Sequence, residues 1–362
     1  MNKNKKESVT FDCYLFVKIF MSGKSISIFV LSAFFTVISV CVSAQVDPIE
    51  KGMKAINEDV IKAKLGFLAS DWTEGREVGT RGEYLAGDYI ASILQLYGVK
   101  PFGDMVNSGS MRTRSYFQNF ILLKTTRKEE QTLQQHSLTQ PNESTTQVRV
   151  RNILGIIEGK NPEQYIVLGA HYDHLGMRDG YIWNGADDNA SGVVGIMTIA
   201  KAIIATGVQP EKSIIIALWT AEEVGLLGSR HYLDNLTYPL SRIKLNLNFD
   251  MISRYITDHE PRSVIMTYTD KYHPMFKEIT VSNLIKYDID LIVDYQPSAE
   301  LPGGSDHKSF TDKGIPAMRF KPGHREEYHT PADKISTVNW DIMEKIIRIS
   351  FANIWNLANS EW

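Results

Sequence analysis

Hydrophobic positions fall into two rhythms that change near Arg151. From Val60 to Tyr97 apolar residues recur at helical spacing, first Ile61, Leu65 and Leu68, then Tyr84, Leu85, Tyr89, Ile90, Ile93 and Leu94. That period predicts two helices. Between them, Asp71 to Thr80 is punctuated by Gly75 and Gly79 and reads as a connecting loop that packs on the core. Beyond Arg151, short apolar runs alternate with longer amphipathic ones. Val150 to Ile157, Tyr165 to Ala170, Ser213 to Thr220, Ile243 to Met251 and Ile315 to Phe320 read as strands; Ala190 to Ala205, Leu226 to Leu236, Tyr272 to Ile285 and Asn339 to Leu357 read as helices. A run such as Ser-Ile-Ile-Ile-Ala-Leu-Trp-Thr at 213–220 has no polar alternation, as expected of a strand covered on both faces.

The stretch from 104 to 150 is less organised. Tyr116, Phe117 and Phe120 mark one strand, and the Gln-, Ser- and Thr-rich segment 131–147 reads as an exposed loop or irregular hairpin, because so polar a sequence buries little apolar surface. Residues 286–302 carry no clear pattern. No internal repeat is visible. The alternation after Arg151 predicts a single α/β domain with a largely parallel mixed sheet flanked by helices on both faces.

The first 44 residues stand apart. Lys3, Lys5, Lys6, Lys18 and Lys24 precede an apolar segment from Ile26 to Val42, and Val42-Ser43-Ala44 ends it with small residues. This is the pattern of a signal peptide, which puts the peptide at 1–44, the mature domain at 45–362 and the protein in the periplasm or outside the cell. Met21 is an alternative start, and an uncleaved membrane anchor is the competing reading of the same segment. Both cysteines, Cys13 and Cys41, lie in this leader. The mature chain then has neither disulfides nor thiolate metal sites.

Composition alters the picture little. With 362 residues, 43% hydrophobic and 22% charged, the chain can bury a full core. Removing the leader takes five lysines and two acids from 39 basic and 42 acidic residues, leaving 34 and 40 and a net charge of −6. That balance argues against a nucleic-acid partner. The expected partner is a peptide or protein substrate, with no membrane contact beyond the leader and a monomeric or weakly oligomeric state.

Candidate chemistry concentrates where the apolar runs end. His171-Tyr172-Asp173, Asp187-Asp188-Asn189, Glu222-Glu223, Asp250 and Tyr328-His329 each follow a strand or open a helix. In open α/β sheets the ligand site lies at the carboxyl ends of the strands, so all five fall on one rim. Catalytic zinc takes nitrogen and carboxylate ligands and keeps a position for water. His171 is assigned to metal and Asp173 to a supporting role, accepting the other imidazole N–H. Adjacent Asp187 and Asp188 would repel without a cation nearby. Of Glu222 and Glu223, one can bind metal while the other moves a proton. Tyr328 offers a phenol to a developing oxyanion, and Ser305 and Asp306, ahead of His307, brace the site. His174, His231, His259, His273 and His324 lack a comparable setting.

These motifs resemble the secreted double-zinc aminopeptidases, co-catalytic zinc exopeptidases that share a fold with glutamate carboxypeptidase and glutaminyl cyclase. The likeness is carried by Ala170 to Asp173, Gly185 to Gly192, Thr220 to Ser229, Asn248 to Ile252, Ser305 to His307, Tyr328 to Asp333 and the earlier stretch Leu68 to Gly82. It implies two zinc ions per chain, one held by His171, Asp188 and Asp250, the other by Asp188, Glu223 and His329. Asp188 would bridge, Glu222 would be the general base, Tyr328 would stabilise the oxyanion, and the Asp188–Asn189 peptide would be cis. One position departs from the pattern. Some relatives place an arginine just before Ser-Asp-His, where this chain has Gly304.

The resemblance makes an amino-terminal exopeptidase the expected function. A single-zinc glutaminyl cyclase would keep Asp188, Glu223 and His329 but has no need of the second metal. A carboxypeptidase or dipeptidase shares the whole centre. A metal-free binding module would have lost ligands, and this sequence retains all of them.

Overall fold

Every residue from Lys212 to Trp219 is buried, because this strand lies between two others with helices on both faces. A computed structural model describes residues 47–126, 131–135, 145–256, 262–321, 323 and 325–362; the leader read at 1–44 lies outside them. The described chain opens with helices α1 (Pro48–Lys54), α2 (Glu58–Leu68) and α3 (Arg81–Leu96). The side chain of Asn57 caps α2 by accepting the Val60 N–H, and that of Thr80 caps α3 by accepting the Glu83 N–H. The connection between them is no open loop. Residues 71–76 wind into tight 3-10 turns that bury Thr73, Gly75 and Arg76.

Strands β1 (Lys100–Pro101), β2 (Met105–Ser108), β3 (Met111–Arg114), β4 (Phe117–Thr126), β5 (Gln131–Gln135), β6 (Thr145–Ile157) and β7 (Asn161–His171) follow. The hairpin β8 (Gly176–Arg178) and β9 (Tyr181–Trp183) precedes an irregular turn at Ala186–Ser191 and helix α4 (Gly192–Ala205). Then come β10 (Lys212–Trp219), α5 (Leu227–Asp234), β11 (Ile243–Asn248), β12 (Ser263–Thr269), α6 (Met275–Lys286), β13 (Ile292–Ser298), α7 (His307–Thr311), β14 (Ala317–Lys321) and α8 (Trp340–Ala358).

The main sheet runs β13-β12-β14-β11-β7-β10-β6-β4-β5, with β1 on β6. Strands β14, β11, β7 and β10 are mutually parallel, as are β12 and β13. The joins β12 to β14, β10 to β6 and β6 to β4 to β5 are antiparallel. Parallel pairing therefore occupies the centre, where both faces are covered.

Of the polar segment 131–147, read as an exposed loop or irregular hairpin, residues 136–144 lie outside the described residues. Residues 131–135 and 145–147 belong to β5 and β6 and pair with β4. At this edge of the sheet, backbone pairing suffices and side chains can stay polar. Strand β13 falls in the stretch 286–302 that showed no pattern; it too is an edge strand, and its side chains are half-buried or exposed throughout.

Side-chain alternation sorts the central strands between two cores. Ile166, Leu168 and Ala170 join Ile214, Ile216 and Leu218 beneath α1, α2, α3, α4 and α8. Tyr165 and Val167 join Ile215, Ala217 and Trp219 on the opposite face with Tyr232 and Phe310. Helix α4 is apolar nearly all round because it is buried in the larger core. Ile216→Ala, at a fully buried position of β10, is expected to cost about 2–5 kcal/mol through lost burial and a residual cavity, read as a lower denaturant midpoint with unchanged slope.

Candidate metal centre

The three neighbouring parallel strands β11, β7 and β10 all end at one rim, and each delivers acid or imidazole as its pairing stops. His171 is the last residue of β7 and lies in register with Trp219 of β10. Glu222 and Glu223 follow β10 by three and four residues, and Asp250 follows β11 by two. The chain turns sharply at each exit, with Ala221 at φ 58° and Met251 at φ 56°, left-handed values uncommon for residues with a Cβ. His329 adopts φ 50° in the loop after β14.

Asp188 sits in the middle. Its Oδ1 is 3.3 Å from His171 Nε2, while its Oδ2 is 3.0 Å from His329 Nε2. Asp250 Oδ1 lies 3.6 Å from His171 Nε2, and Glu223 Oε2 lies 3.2 Å from His329 Nε2. The two oxygens of one carboxylate thus face two different imidazoles, each with a further carboxylate beside it. Glu222 stands close by, with Oε2 4.0 Å from His171 Nε2. The five residues named for metal in the sequence, His171, Asp188, Glu223, Asp250 and His329, are brought together with Glu222 around one cavity of 180 Å³.

The turn that carries Asp188 is held from several sides. Its peptide bond to Asn189 is cis. Asp333 accepts the backbone N–H groups of both Asp187 and Asp188, at 2.9 and 3.0 Å. Asn189 donates to the Phe249 carbonyl and accepts from Met251 N–H, tying the turn to the end of β11. Gly185 enters the turn at φ 56°, and a Cβ there would meet the Asp188 carbonyl and, at 2.6 Å, the His174 ring. Asp187 faces away from Asp188's partners: its Oδ1 accepts from the Ser253 backbone and hydroxyl. The two adjacent acids therefore have separate roles.

Asp173 braces the site differently from the expected imidazole contact. Its carboxylate accepts the N–H groups of Glu222 and Glu223 at 3.1 and 3.3 Å, fixing the loop after β10. The Nδ1 of His171 instead lies 3.2 Å from the backbone oxygen of Asp173 and 3.8 Å from its carboxylate. Asp306 is fully buried near the site and neither of its oxygens accepts a hydrogen bond, while Ser305 accepts one from Asn248. Tyr328 lines the cavity, half-buried to exposed, with its ring stacked on His329.

Several contributors had not been singled out. His174 is buried, with Nδ1 2.9 Å from Glu223 Oε1, so a second imidazole orients that carboxylate. It lies one residue beyond Asp173, and its spacing alone gave no sign of this. Arg76 is 1% exposed and donates to the carbonyls of Leu68, Tyr172, Asn184 and Gly185, fastening the early loop beneath both His171 and the Asp188 turn. Glu83 completes the cap of α3 through Gly79 N–H and also accepts from the Thr220 hydroxyl, two residues before Glu222.

Electrostatics follow from crowding acids where water is scarce. Burial alone would lower the His171 pKa, but the charge of Glu222 and hydrogen bonds to Asp188 and Asp250 raise it well above the ordinary value. Burial, reinforced by Asp250, Asp306 and Glu223, lifts Glu222 well above the usual carboxylate range against the pull of His171. Hydrogen bonds to Asp188 and Glu223 raise His329 to about 10. Burial works against the ionised form of Glu223, as does Asp188, yet His174 and His329 hold it down to about 2. The cluster calls for positive charge. Asp250 Oδ1 is buried and accepts no hydrogen bond, and its neighbours are oxygen and imidazole nitrogen atoms, a donor set suited to a divalent metal. His171 with Glu222 and Asp250, and His171 with Asp188 and Glu223, each converge within 4.8 Å.

The fold resembles solved aminopeptidases. BSAP, a zinc aminopeptidase from Bacillus subtilis, superposes with a TM-score of 0.61 at 17% identity, covering 84% of this chain and 96% of that one. The Legionella pneumophila LapA aminopeptidase gives 0.60 at 23%, covering 87% and 74%. In sequence, leucine aminopeptidase 2 of Trichophyton rubrum is 34% identical over 172 residues, 46% of this chain and 32% of that protein. Aminopeptidase YwaD of Bacillus subtilis (strain 168) is 29% identical over 241 residues, 62% and 50%. The matches thus span about a third of the fungal relative and half of the bacterial one. The model of peptidase family M28 matches residues 152–354, a stretch that begins in β6 and runs through every strand end described above into α8, and the chain belongs to that family.

Proposed function

We propose that this protein is a zinc-dependent exopeptidase that releases residues from the amino terminus of peptides. The observation that carries the reading is the two-sided placement of Asp188, one oxygen towards His171 and Asp250 and the other towards His329 and Glu223. His171, Asp188 and Asp250 would hold one zinc, and Asp188, Glu223 and His329 a second. Zinc bound there supplies Lewis acidity for a peptide carbonyl and a more acidic attacking water. Family membership and the resemblance to named aminopeptidases support the same reading.

The chain's own groups divide the remaining work. Glu222 belongs to neither proposed ligand set, and its carboxylate, made basic by burial, takes a proton from the attacking water and returns it to the leaving amine. Asp173 holds the Glu222 and Glu223 peptide groups so that the two side chains diverge. Burial and the surrounding carboxylates raise the pKa of Tyr328, so its phenol stays protonated and donates to the oxyanion. A cavity of 180 Å³ suits a chain end better than a long internal segment. The protein would act as one domain over 45–362, exported by the leader at 1–44.

Glu222→Gln should retain two zinc ions per chain and lose turnover by roughly 10²-fold or more, whereas Asp188→Ala should lose metal and activity together. Metal analysis of the purified variants beside release of an amino-terminal residue separates them. Full rate in Glu222→Gln would remove the base, and cyclisation of an amino-terminal Gln peptide without hydrolysis would replace the reaction.

Stability of the metal-free chain should fall as pH rises. Burial raises Glu83 to about 8 and Asp306 to about 7, and carboxylate partners raise His329 to about 10. Each folded pKa exceeds its unfolded value, so each contribution is complete below the unfolded pKa and lost as pH climbs through the folded one. Thermal melts of chelated protein from pH 6 to 9 should show a declining midpoint; a rising one contradicts the assignment. Export predicts that protein recovered outside the cytoplasm begins near Gln45 on amino-terminal sequencing, and an intact Met1 or Met21 there would refute cleavage.

A further inference from the structure

The cavity that holds the cluster has a second, oppositely charged wall. Strand β14 reads Ala317-Met318-Arg319-Phe320-Lys321, and its alternation places Met318 and Phe320 in the large core. Arg319 and Lys321 take the other face and line the cavity with Glu222 and Asp250. Arg319 is only 8% exposed. Among the described residues its hydrogen bonds are two long ones, Nε to Thr267 Oγ1 at 3.4 Å and Nη1 with His307 Nδ1 at 3.5 Å, and no carboxylate forms an ion pair with it. A guanidinium has five donors in a planar fork matched to a carboxylate, and a buried one left without a counter-ion is costly. Asp250 acts on the Arg319 charge only at a distance and lies beside His171, and neither Asp306 nor any other described carboxylate forms a hydrogen bond or ion pair with Arg319. The partner that fits must arrive with the substrate.

We propose that Arg319, assisted by Lys321, binds the side-chain carboxylate of the substrate's amino-terminal residue, so that the enzyme favours peptides beginning with Asp or Glu. This rests on the exopeptidase reading given above. In so small a cavity, the residue whose carbonyl meets the cluster shares its space with Arg319. Its side chain has the β14 wall to meet, and Gly303 and Gly304, which line the same cavity, add no bulk there. His307 is unsuited to the role, because burial and the neighbouring Arg319 charge lower its pKa to about 4 and keep it neutral, with Nε2 donating to the Pro302 carbonyl.

The test compares kcat/KM of the zinc-loaded enzyme on Glu-, Asp- and Leu-p-nitroanilide. Acidic substrates should lead, and Arg319→Met should lower the Glu-to-Leu ratio by roughly 10- to 100-fold, the usual worth of a charge-assisted hydrogen bond. Arg319→Lys should restore part of it, and Arg319→Glu should move preference towards Lys-p-nitroanilide. A purely structural arginine would lower all substrates together and leave the ratio alone. Lys321→Met, at the half-buried end of the strand, should shift the ratio in the same direction by less, which keeps the test open if the Arg319 variants fail to fold. Calorimetric binding of free glutamate and leucine reads the same preference without turnover. Leu preferred with ratios unmoved, or glutamate bound no better than leucine, overturns the proposal. Absence of any peptide hydrolysis would sink the exopeptidase reading instead, and glutamate binding would still decide this one.

Discussion

Bringing many carboxylates into one poorly hydrated place is the constraint around which this structure is organised. Asp173, Asp187, Asp188, Asp306 and Asp333 are all buried, and Glu222, Glu223 and Asp250 are nearly so. Like charges at such separations raise one another's pKa, and burial raises them further. The chain divides the burden. Asp173 and Asp333 each accept two backbone N–H groups, and Asp187 accepts a backbone N–H and a hydroxyl, so their charge is spread over peptide dipoles. Asp188, Glu223 and Asp250 have imidazoles for neighbours instead, and those are the ones a cation would stabilise.

Arg76 shows how the frame is kept separate from the chemistry. A guanidinium so deep would ordinarily pair with a carboxylate, yet here its donors go to four carbonyls, including those just before the Asp188 turn and just after His171. Its charge acts on Asp333 and Asp188 at a distance, and burial lowers its own pKa to about 10. The early segment 71–76 thereby becomes part of the site without contributing a side chain to the cavity.

Much of this was legible because strand ends are legible. The run at 213–220 identifies a central strand by its unbroken apolarity, and the acids that follow it stand out against that background. Legibility fails where function depends on what lies across the sheet. The pattern set Asp173 beside the His171 ring, but the loop after β10 returns close enough to claim its carboxylate with two N–H groups. His174 looked unremarkable because its partner, Glu223, is 49 residues away. The edge strand β13 escaped for another reason: its side chains are half-buried or exposed throughout, so no apolar rhythm is imposed. A carboxylate-accepting cation on β14 was written in the sequence as a polar alternation, Arg319 and Lys321 against Met318 and Phe320, yet alternation alone does not say whether the polar face meets water or a cavity.

The proposed selectivity and the proposed catalysis accordingly fall on different strands. The central β11, β7 and β10 are each paired on both edges, β10 in the antiparallel sense to β6 and otherwise all in parallel, and a ligand at their ends can shift little without breaking the ladder. Strand β14 sits one place outward, joined to β11 over two register pairs and to β12 in the antiparallel sense. The cavity-facing Arg319 and Lys321 can change character while the strands that carry the cluster keep theirs, since β14 meets β11 through Ala317 and Met318 and neither Arg319 nor Lys321 is among those register pairs. Relatives that share the centre can therefore differ in what they accept, and a likeness of fold to solved aminopeptidases leaves the substrate's side chain to be read from this wall.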